Sequence, residues 1–287
     1  MNDQPQIESN CWANCLGDCG GGISREHYVS ECIFPNQEIF VQGLNFCLDH
    51  PVLLRSRSVT AKILCVDHNR RLGEGVDWIA GKAFESIREF TALRNRRREF
   101  PQLSWLPRVF KIDSRGLERW CLKTMINFSI GQKKMFGIGA GNQADGVDDE
   151  LVEIAFGLKD FTDGRGLYVA FRNYETFNLE DRVHYTAKMR GDNLLMGHFA
   201  LHGLRFYLNL EPTGHPYTLV EGSNVFYREA HFVDPLEPIP EETVIDSVQA
   251  LIRAERAKRR FLQKLSIAWV EEQNSVVAGR TGSPIRS

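Results

Sequence analysis

The sequence predicts an α+β protein with two parts: a small N-terminal unit stabilised by a metal ion, and a mostly antiparallel sheet domain that ends in a long helix. Three observations predict it. Two pairs of cysteine and histidine residues lie on either side of a short extended segment before residue 70. Short β-rich segments separated by Gly and Asn fill residues 151–234. Residues 243–272 contain neither Pro nor Gly and carry apolar residues at helical spacing.

Composition and charge are those of a globular protein. The 287 residues are 43% hydrophobic and 25% charged, which fits one large or two ordinary domains. A net charge of −2 argues against a surface that is basic throughout, so any contact with nucleic acid must be local.

Seven cysteines are an odd number and too few for a secreted disulfide scaffold. Because the N-terminus is polar and no apolar run approaches about 18 residues, we expect a cytoplasmic protein without membrane contact.

The N-terminal elements follow from residue periodicity. Residues 23–34 alternate weakly like a short strand, and residues 39–41 are also extended. An amphipathic helix is expected to start beyond Gly73 or Gly75, because apolar residues recur every three or four positions up to Phe90. A second helix, at residues 115–130, is expected to pack between the two halves. We therefore predict an N-terminal domain at residues 1–100 and a connecting helical segment at residues 101–130.

The C-terminal half is predicted to be a sheet followed by a helix. An exposed glycine-rich loop at residues 137–142 precedes five segments of strand composition. These segments are residues 151–156, 167–171, 183–189, 199–210 and 217–220. Prolines between residues 235 and 240 end the sheet, and the long helix follows. We assign residues 131–273 to an α+β domain of unknown role and residues 274–287 to a disordered tail.

The spacing of cysteine and histidine residues predicts a structural zinc site. Cys65 and His68 form a C-x2-H pair, and Cys11 with Cys15 supplies a second pair for a tetrahedral ion. Cys15-x3-Cys19 has the same spacing, so Cys19 is the alternative ligand. We favour Cys11 with Cys15 because that choice leaves a longer arm before the next motif. One further C-x2-H pair competes for the same ion, and it consists of Cys47 and His50.

An acid–histidine dyad and an asparagine lie beside these ligands. Glu26 and His27 are adjacent between the two ligand pairs, and Asn69 directly follows the last ligand. This set resembles the HNH (ββα-metal) endonucleases, and among them the zinc-containing branch that includes phage junction-resolving endonucleases. The resemblance covers residues 8–92. The residues that carry it are Cys11, Cys15, Glu26, His27, Cys65, His68 and Asn69.

The resemblance implies a role for each matching residue. His27 would be the general base, because a neutral imidazole can take a proton from water near neutral pH. Glu26 and Asn69 would hold a catalytic Mg²⁺ or Mn²⁺ through oxygen atoms. Asp77, on the following helix, is near the position of a further metal ligand in many relatives. The chain departs from the family at Glu26, where relatives usually have Asp, and strand neighbours such as Glu26 and His27 point to opposite faces.

The leading interpretation is a metal-dependent HNH endonuclease that hydrolyses DNA phosphodiester bonds, in a defence or mobile-element context. The alternative is a catalytically inactive zinc-binding interaction or regulatory protein, which Glu26 in place of Asp favours. A protein partner or a second copy of the chain is expected to bind the C-terminal domain. Basic residues of the N-terminal part are candidates for contact with DNA phosphates: Arg55, Arg57, Lys62, Arg70, Arg71, Arg94, Arg96, Arg97 and Arg98.

Overall fold

The chain has an α+β fold, as the sequence predicts, and two of the three sheets in its described part are mixed. The computed structural model describes residues 10–33, 38–42, 47–55, 59–100, 103, 106–131, 147–171, 183–190, 193–211, 225–227, 230–235 and 261–268. Its helices are α1 (Val66–Leu72), α2 (Trp78–Glu99), α3 (Ser114–Gly131) and α4 (Asp149–Ala155). Its strands are β1 (Ile23–His27), β2 (Glu38–Gln42), β3 (Val52–Arg55), β4 (Thr60–Cys65), β5 (Arg108–Asp113), β6 (Gly166–Phe171), β7 (Val183–Arg190), β8 (Asn193–Leu201), β9 (Leu204–Asn209), β10 (Val225–Tyr227), β11 (Ala230–Pro235) and β12 (Phe261–Ala268).

A two-stranded antiparallel sheet of β1 and β4, called the hairpin below although β2 and β3 lie between its strands in sequence, leads directly into a long helical segment. The strands pair antiparallel, and α1 begins at the residue that follows β4. One π-helical turn, Gly73–Asp77, joins α1 to α2. The helix expected only beyond Gly73 or Gly75 therefore begins at Val66. The cause is a cap that periodicity does not reveal, because the Cys65 sulfur accepts a hydrogen bond from the backbone N–H of His68.

The largest sheet combines strands from both halves of the sequence. Its order is β10-β6-β9-β8-β7-β2-β3, and only the β2–β7 pair is parallel among these described strands. β2 and β3 come from residues before 60, yet they extend a sheet built by residues 166–227. Strand pairing thus crosses the domain boundaries predicted near residues 100 and 130. The prediction of a mostly antiparallel sheet is confirmed.

The third sheet corrects the predicted C-terminal helix. Phe261–Ala268, inside the stretch expected to be helical, is the middle strand of the order β11-β12-β5. Leu265 and Ile267 are fully buried with the less buried Ser266 between them, which is the alternation of a strand. β12 runs parallel to β5, a partner about 150 residues away in sequence that local periodicity cannot reveal. The rest of residues 243–272, the loop at 137–142, the segment 217–220 and the tail lie outside the described residues.

Two other predicted strands differ from the structure. Residues 149–155 form α4 rather than a strand, because the Asp148 side chain accepts the backbone N–H of Glu150 and acidic residues occupy the first turn. Residues 199–210 form parts of two strands, β8 and β9, which meet in a tight turn. His202 and Gly203 have φ values of 46° and 88° in that turn, as a two-residue hairpin requires. The strands predicted at 167–171 and 183–189 are confirmed.

α3 lies between the hairpin and the large sheet, as predicted. It contacts β4 of the hairpin and β6, β8 and β9 of the large sheet. Trp120 packs against Phe199 with ring centroids 5.6 Å apart, and Phe128 stacks on Tyr185 at 4.8 Å. α3 therefore joins the N-terminal unit to the sheet. In the described part of the chain, no helix is long and apolar enough to cross a membrane.

Candidate metal centre

Four side chains converge where β4 enters α1: Cys11, Cys19, Cys65 and His68. One ligand atom of each lies within 4.8 Å of the others. The Nδ1 atom of His68 is 3.4, 3.6 and 3.2 Å from the three sulfur atoms. Around a tetrahedral Zn²⁺, with bonds of about 2.3 Å to sulfur and about 2.0 Å to nitrogen, these separations would be about 3.5 Å. The cluster could therefore hold a metal ion such as zinc, with His68 coordinating through Nδ1.

Glycines bring the two halves of this cluster together. The loop at residues 20–22 lies against the start of α1, where Val66 N–H donates to Gly22 O at 2.9 Å and Asp67 N–H donates to Gly20 O at 3.2 Å. A Cβ atom at Gly21, where φ is 77°, would lie 2.8 Å from the Cβ atom of Val66, so a larger residue could not approach α1 this closely. The glycine run thus positions Cys19 beside the ligands on β4 and α1.

The surroundings of the sulfur atoms favour a bound cation. The Cys65 N–H donates to Cys11 Sγ at 3.3 Å, and the His68 N–H donates to Cys65 Sγ at 3.4 Å, and both contacts would stabilise thiolates. Burial raises the pKa of the Cys11 thiol, and burial with the neighbouring Cys11 raises the pKa of Cys19. A divalent cation supplies the positive charge that lets these buried thiols ionise together.

Asp18 orients the histidine ligand. Its Oδ1 atom lies 2.6 Å from His68 Nε2, and its Oδ2 atom accepts a hydrogen bond from Arg71 at 2.6 Å. Burial raises the pKa of the Asp18 carboxyl, but the contacts with His68 and Arg71 lower it by more. The pKa of Asp18 therefore lies below its ordinary value. The carboxylate therefore fixes the tautomer that leaves Nδ1 free to bind a metal. Phe156 covers the same side, with its ring centroid 5.1 Å from that of His68.

The structure corrects the first ligand pair. Cys15, which we favoured, is exposed in a 3-10 turn and is not part of the cluster. Cys19, the alternative, takes its place beside Cys11. The competing pair is not part of the cluster either: Cys47 is buried and His50 is exposed. Spacing could not separate Cys15 from Cys19, because the choice depends on the direction in which the turn carries the chain.

The acid–histidine dyad is divided between two faces of the hairpin. Glu26 is buried and faces α3, whereas His27 is only partly buried at the end of β1. Arg25 and Lys62, which pair across the strands, are exposed on the face that His27 shares by strand alternation. The carboxylate and the imidazole of the dyad therefore face different surroundings.

A buried lysine on α3 holds two of the predicted metal ligands. Lys123 Nζ lies 2.6 Å from Glu26 Oε1, and it donates to Asp77 at 2.9 Å to Oδ1 and 2.7 Å to Oδ2. The side chain of Lys123 is 1% exposed. Burial raises the pKa of Glu26, although Lys123 opposes that rise. Burial lowers the pKa of Lys123, but the two carboxylates raise it by more. The lysine is therefore an ammonium ion between two acids.

Other residues of α3 complete the enclosure of Glu26. Asn127 Nδ2 donates to Glu26 Oε1 at 3.4 Å and to the backbone oxygen of His27 at 3.1 Å. Its own Oδ1 atom accepts from Trp12 Nε1 at 3.1 Å. On the other side of the lysine, Trp120 Nε1 donates to Ser30 Oγ at 3.2 Å, and Ser30 in turn donates to Asp77. This network covers the Glu26 face of the hairpin.

Asn69 is hydrogen-bonded to the strand that carries the dyad. Its amide nitrogen donates to Ser24 Oγ at 3.0 Å and to the Arg25 backbone oxygen at 3.2 Å. It thereby ties α1 to β1. In the described parts of the chain, Asn69 and Glu26 have no hydrogen-bond partner in common.

Comparison of the chain with protein-family models, curated proteins and solved structures found no match. The arrangement must therefore be interpreted from its own contacts. Sequence analysis missed Asp18, Lys123 and Asn127. A signal for Lys123 and Asn127 did exist, since both lie at helical spacing from Trp120 on the apolar stripe of α3, where a charged residue needs a buried partner.

Proposed function

We propose that the chain is a zinc-dependent DNA-binding protein of the interaction or regulatory class. Its N-terminal unit would be built on the ββα-metal plan of HNH endonucleases without hydrolysing DNA. Support for that plan comes from the order of β1, β4 and α1 around the Cys3His cluster. Further support comes from Asn69, which follows the last ligand and ties the helix to the strand that carries His27.

The burial of Glu26 is the main observation behind the proposal that the chain does not hydrolyse DNA. A catalytic cation must contact a phosphate oxygen, so its ligands have to be accessible to DNA. Glu26 instead lies beneath α3, ion-paired with Lys123 and hydrogen-bonded by Asn127. His27 alone lacks the cation that would stabilise the leaving oxygen. Glu26 is therefore part of the packing between the hairpin and α3, and His27 lies on the other face.

The exposed face of the hairpin supports DNA binding. Arg25 and Lys62 lie directly opposite each other on β1 and β4. Like charges in this position repel each other, so an anion bound between them would relieve that repulsion. His27 occupies the same face by alternation and is only partly buried. Phosphates of a DNA backbone match this local concentration of positive charge.

Neutralising this face is expected to weaken DNA binding. We expect the Arg25→Gln, Lys62→Gln double variant to lose affinity for a duplex and to reduce the slope of log K against log salt by roughly 2, because each lost phosphate contact changes it by about 0.9. Fluorescence anisotropy over a range of salt concentrations measures both quantities. Lys111→Gln, an exposed site on β5, is the matched control. Unchanged affinity and slope in the double variant would contradict the proposed surface.

The second candidate is the HNH endonuclease itself. The observation in its favour is that Glu26 from the strand and Asp77 from the helical segment approach one cation, with His27 next to Glu26. This function requires a divalent ion in place of the Lys123 ammonium and a path for the phosphate past α3. Mg²⁺-dependent nicking of a plasmid that disappears in His27→Ala would favour it over the binding function.

A further inference from the structure

The carboxylates of Glu26 and Asp77 form a cation pocket that the chain itself fills. The Lys123 nitrogen lies 2.6 Å from Glu26 and 2.7 Å from the nearer Asp77 oxygen, so one positive group contacts both acids. The acids come from elements that are distant in sequence, β1 and the turn before α2, while the lysine comes from α3. All three side chains are largely buried, at 7%, 15% and 1% exposure for Glu26, Asp77 and Lys123.

The groups around the Lys123 nitrogen are arranged to stabilise a positive charge. Asp77 accepts a further hydrogen bond from Ser30, and Glu26 accepts one from Asn127, so both carboxylates are held in place without the lysine. With the ammonium present, the pocket carries one excess negative charge. Without it, two buried carboxylates would face each other, and a proton at acid pH or another cation near neutral pH would relieve their repulsion at low dielectric.

We propose that the Lys123 ammonium takes the place of a divalent cation between Glu26 and Asp77. The wild-type chain then binds neither Mg²⁺ nor Mn²⁺ at this position, in contrast to the catalytic ion that the HNH resemblance implies. Removing the side chain beyond Cβ, as in Lys123→Ala, leaves two fixed carboxylates and the space of the lysine. Oxygen ligands of this kind bind hard cations, with waters completing the coordination. The variant therefore gains a cation site that the wild type lacks.

Terbium luminescence tests this proposal on the full-length, zinc-loaded chain. Tb³⁺ prefers the oxygen ligands that Ca²⁺ and Mg²⁺ use, and indole groups can sensitise its emission. Trp120 lies two hydrogen bonds from Asp77 by way of Ser30, close enough to the pocket to serve. For Lys123→Ala we expect saturable emission that excess Mn²⁺ suppresses. In Lys123→Ala, Asp77→Asn we expect at least tenfold weaker binding.

Tb³⁺ binding to the wild-type chain is a second measurement, and it does not depend on the stability of Lys123→Ala. Wild type and Asp77→Asn should show the same weak, non-saturable emission. If the wild type binds Tb³⁺ or Mn²⁺ tightly and Asp77→Asn abolishes this binding, the proposal is overturned. A folded, zinc-loaded Lys123→Ala that gains no Asp77-dependent site overturns it as well. DNA affinity is not part of either readout, so failure of this proposal and failure of the DNA-binding function can be told apart.

Discussion

Cys19→Ser is expected to lose zinc and to unfold the N-terminal unit, whereas Cys15→Ser is expected to keep both metal and fold. Cys19 belongs to the four-residue cluster, and Cys15 is exposed outside it. Structural zinc contributes about 10–16 kcal/mol of apparent binding free energy in zinc-finger peptides, which is as large as the whole stability of a typical domain. Native mass spectrometry gives zinc per chain, and circular dichroism reports the fold.

The two cysteine variants control each other, since both remove one thiol from the same loop. A chelator added to the wild type should reproduce the effect of Cys19→Ser, and added zinc should reverse it. Equal zinc content in the two variants would show that the four-residue cluster is not the metal site. Zinc loss in Cys15→Ser alone would restore the pairing that the sequence first favoured.

Lys123→Met is expected to lower the free energy of unfolding by about 3–5 kcal/mol, because removing one member of a buried ion-pair network leaves the other charges uncompensated. Here the uncompensated groups are the Glu26 and Asp77 carboxylates, which contact the lysine nitrogen in the folded chain. Urea denaturation of the zinc-loaded protein measures the loss. Lys111→Met, at an exposed position on β5, should change stability by less than about 0.5 kcal/mol.

Charge compensation distinguishes this cause from a simple packing defect. Adding Glu26→Gln and Asp77→Asn to Lys123→Met should recover much of the lost stability, because no buried charge remains. The deficit of Lys123→Met should also shrink at acid pH. Burial raises the pKa of Glu26 in the folded chain and Lys123 opposes that rise, so the folded variant binds the proton more tightly than the folded wild type and gains more stability as the pH falls. A deficit that is independent of pH and of the compensating changes would contradict the electrostatic account.

Elements with a one-sided apolar pattern could be predicted from the sequence. The spacing of Trp120, Cys121 and Phe128 defines α3, and the β-rich segments at 167–171 and 183–189 are strands. Elements that depend on distant partners could not. Residues 261–268 were expected to be helical and instead pair with β5 and β11. Helix caps explain two further differences from the predicted elements. The Asp148 cap makes residues 149–155 a helix, and the Cys65 cap starts α1 before the predicted position.

Residues of the candidate site could likewise be predicted where they depend on local spacing, and could not where they depend on distant contacts. Cys11, Cys65 and His68 follow from ligand spacing, which depends on local chain geometry. The choice of Cys19 over Cys15 depends on the path of a loop, and sequence leaves it undecided. The burial of Glu26 could not be foreseen from the N-terminal motifs. It depends on Lys123, a residue nearly one hundred positions later that tertiary packing brings into contact.

Plasmid cleavage tests the central claim that Glu26 is a buried structural residue and that the acid–histidine dyad has no catalytic function. Zinc-loaded wild-type chain, incubated with supercoiled plasmid and Mg²⁺ or Mn²⁺ under conditions where it binds DNA, is expected to leave the plasmid supercoiled. His27→Ala should behave identically. Accumulation of nicked circles with the wild type, dependent on the divalent ion and lost in His27→Ala, would contradict the account.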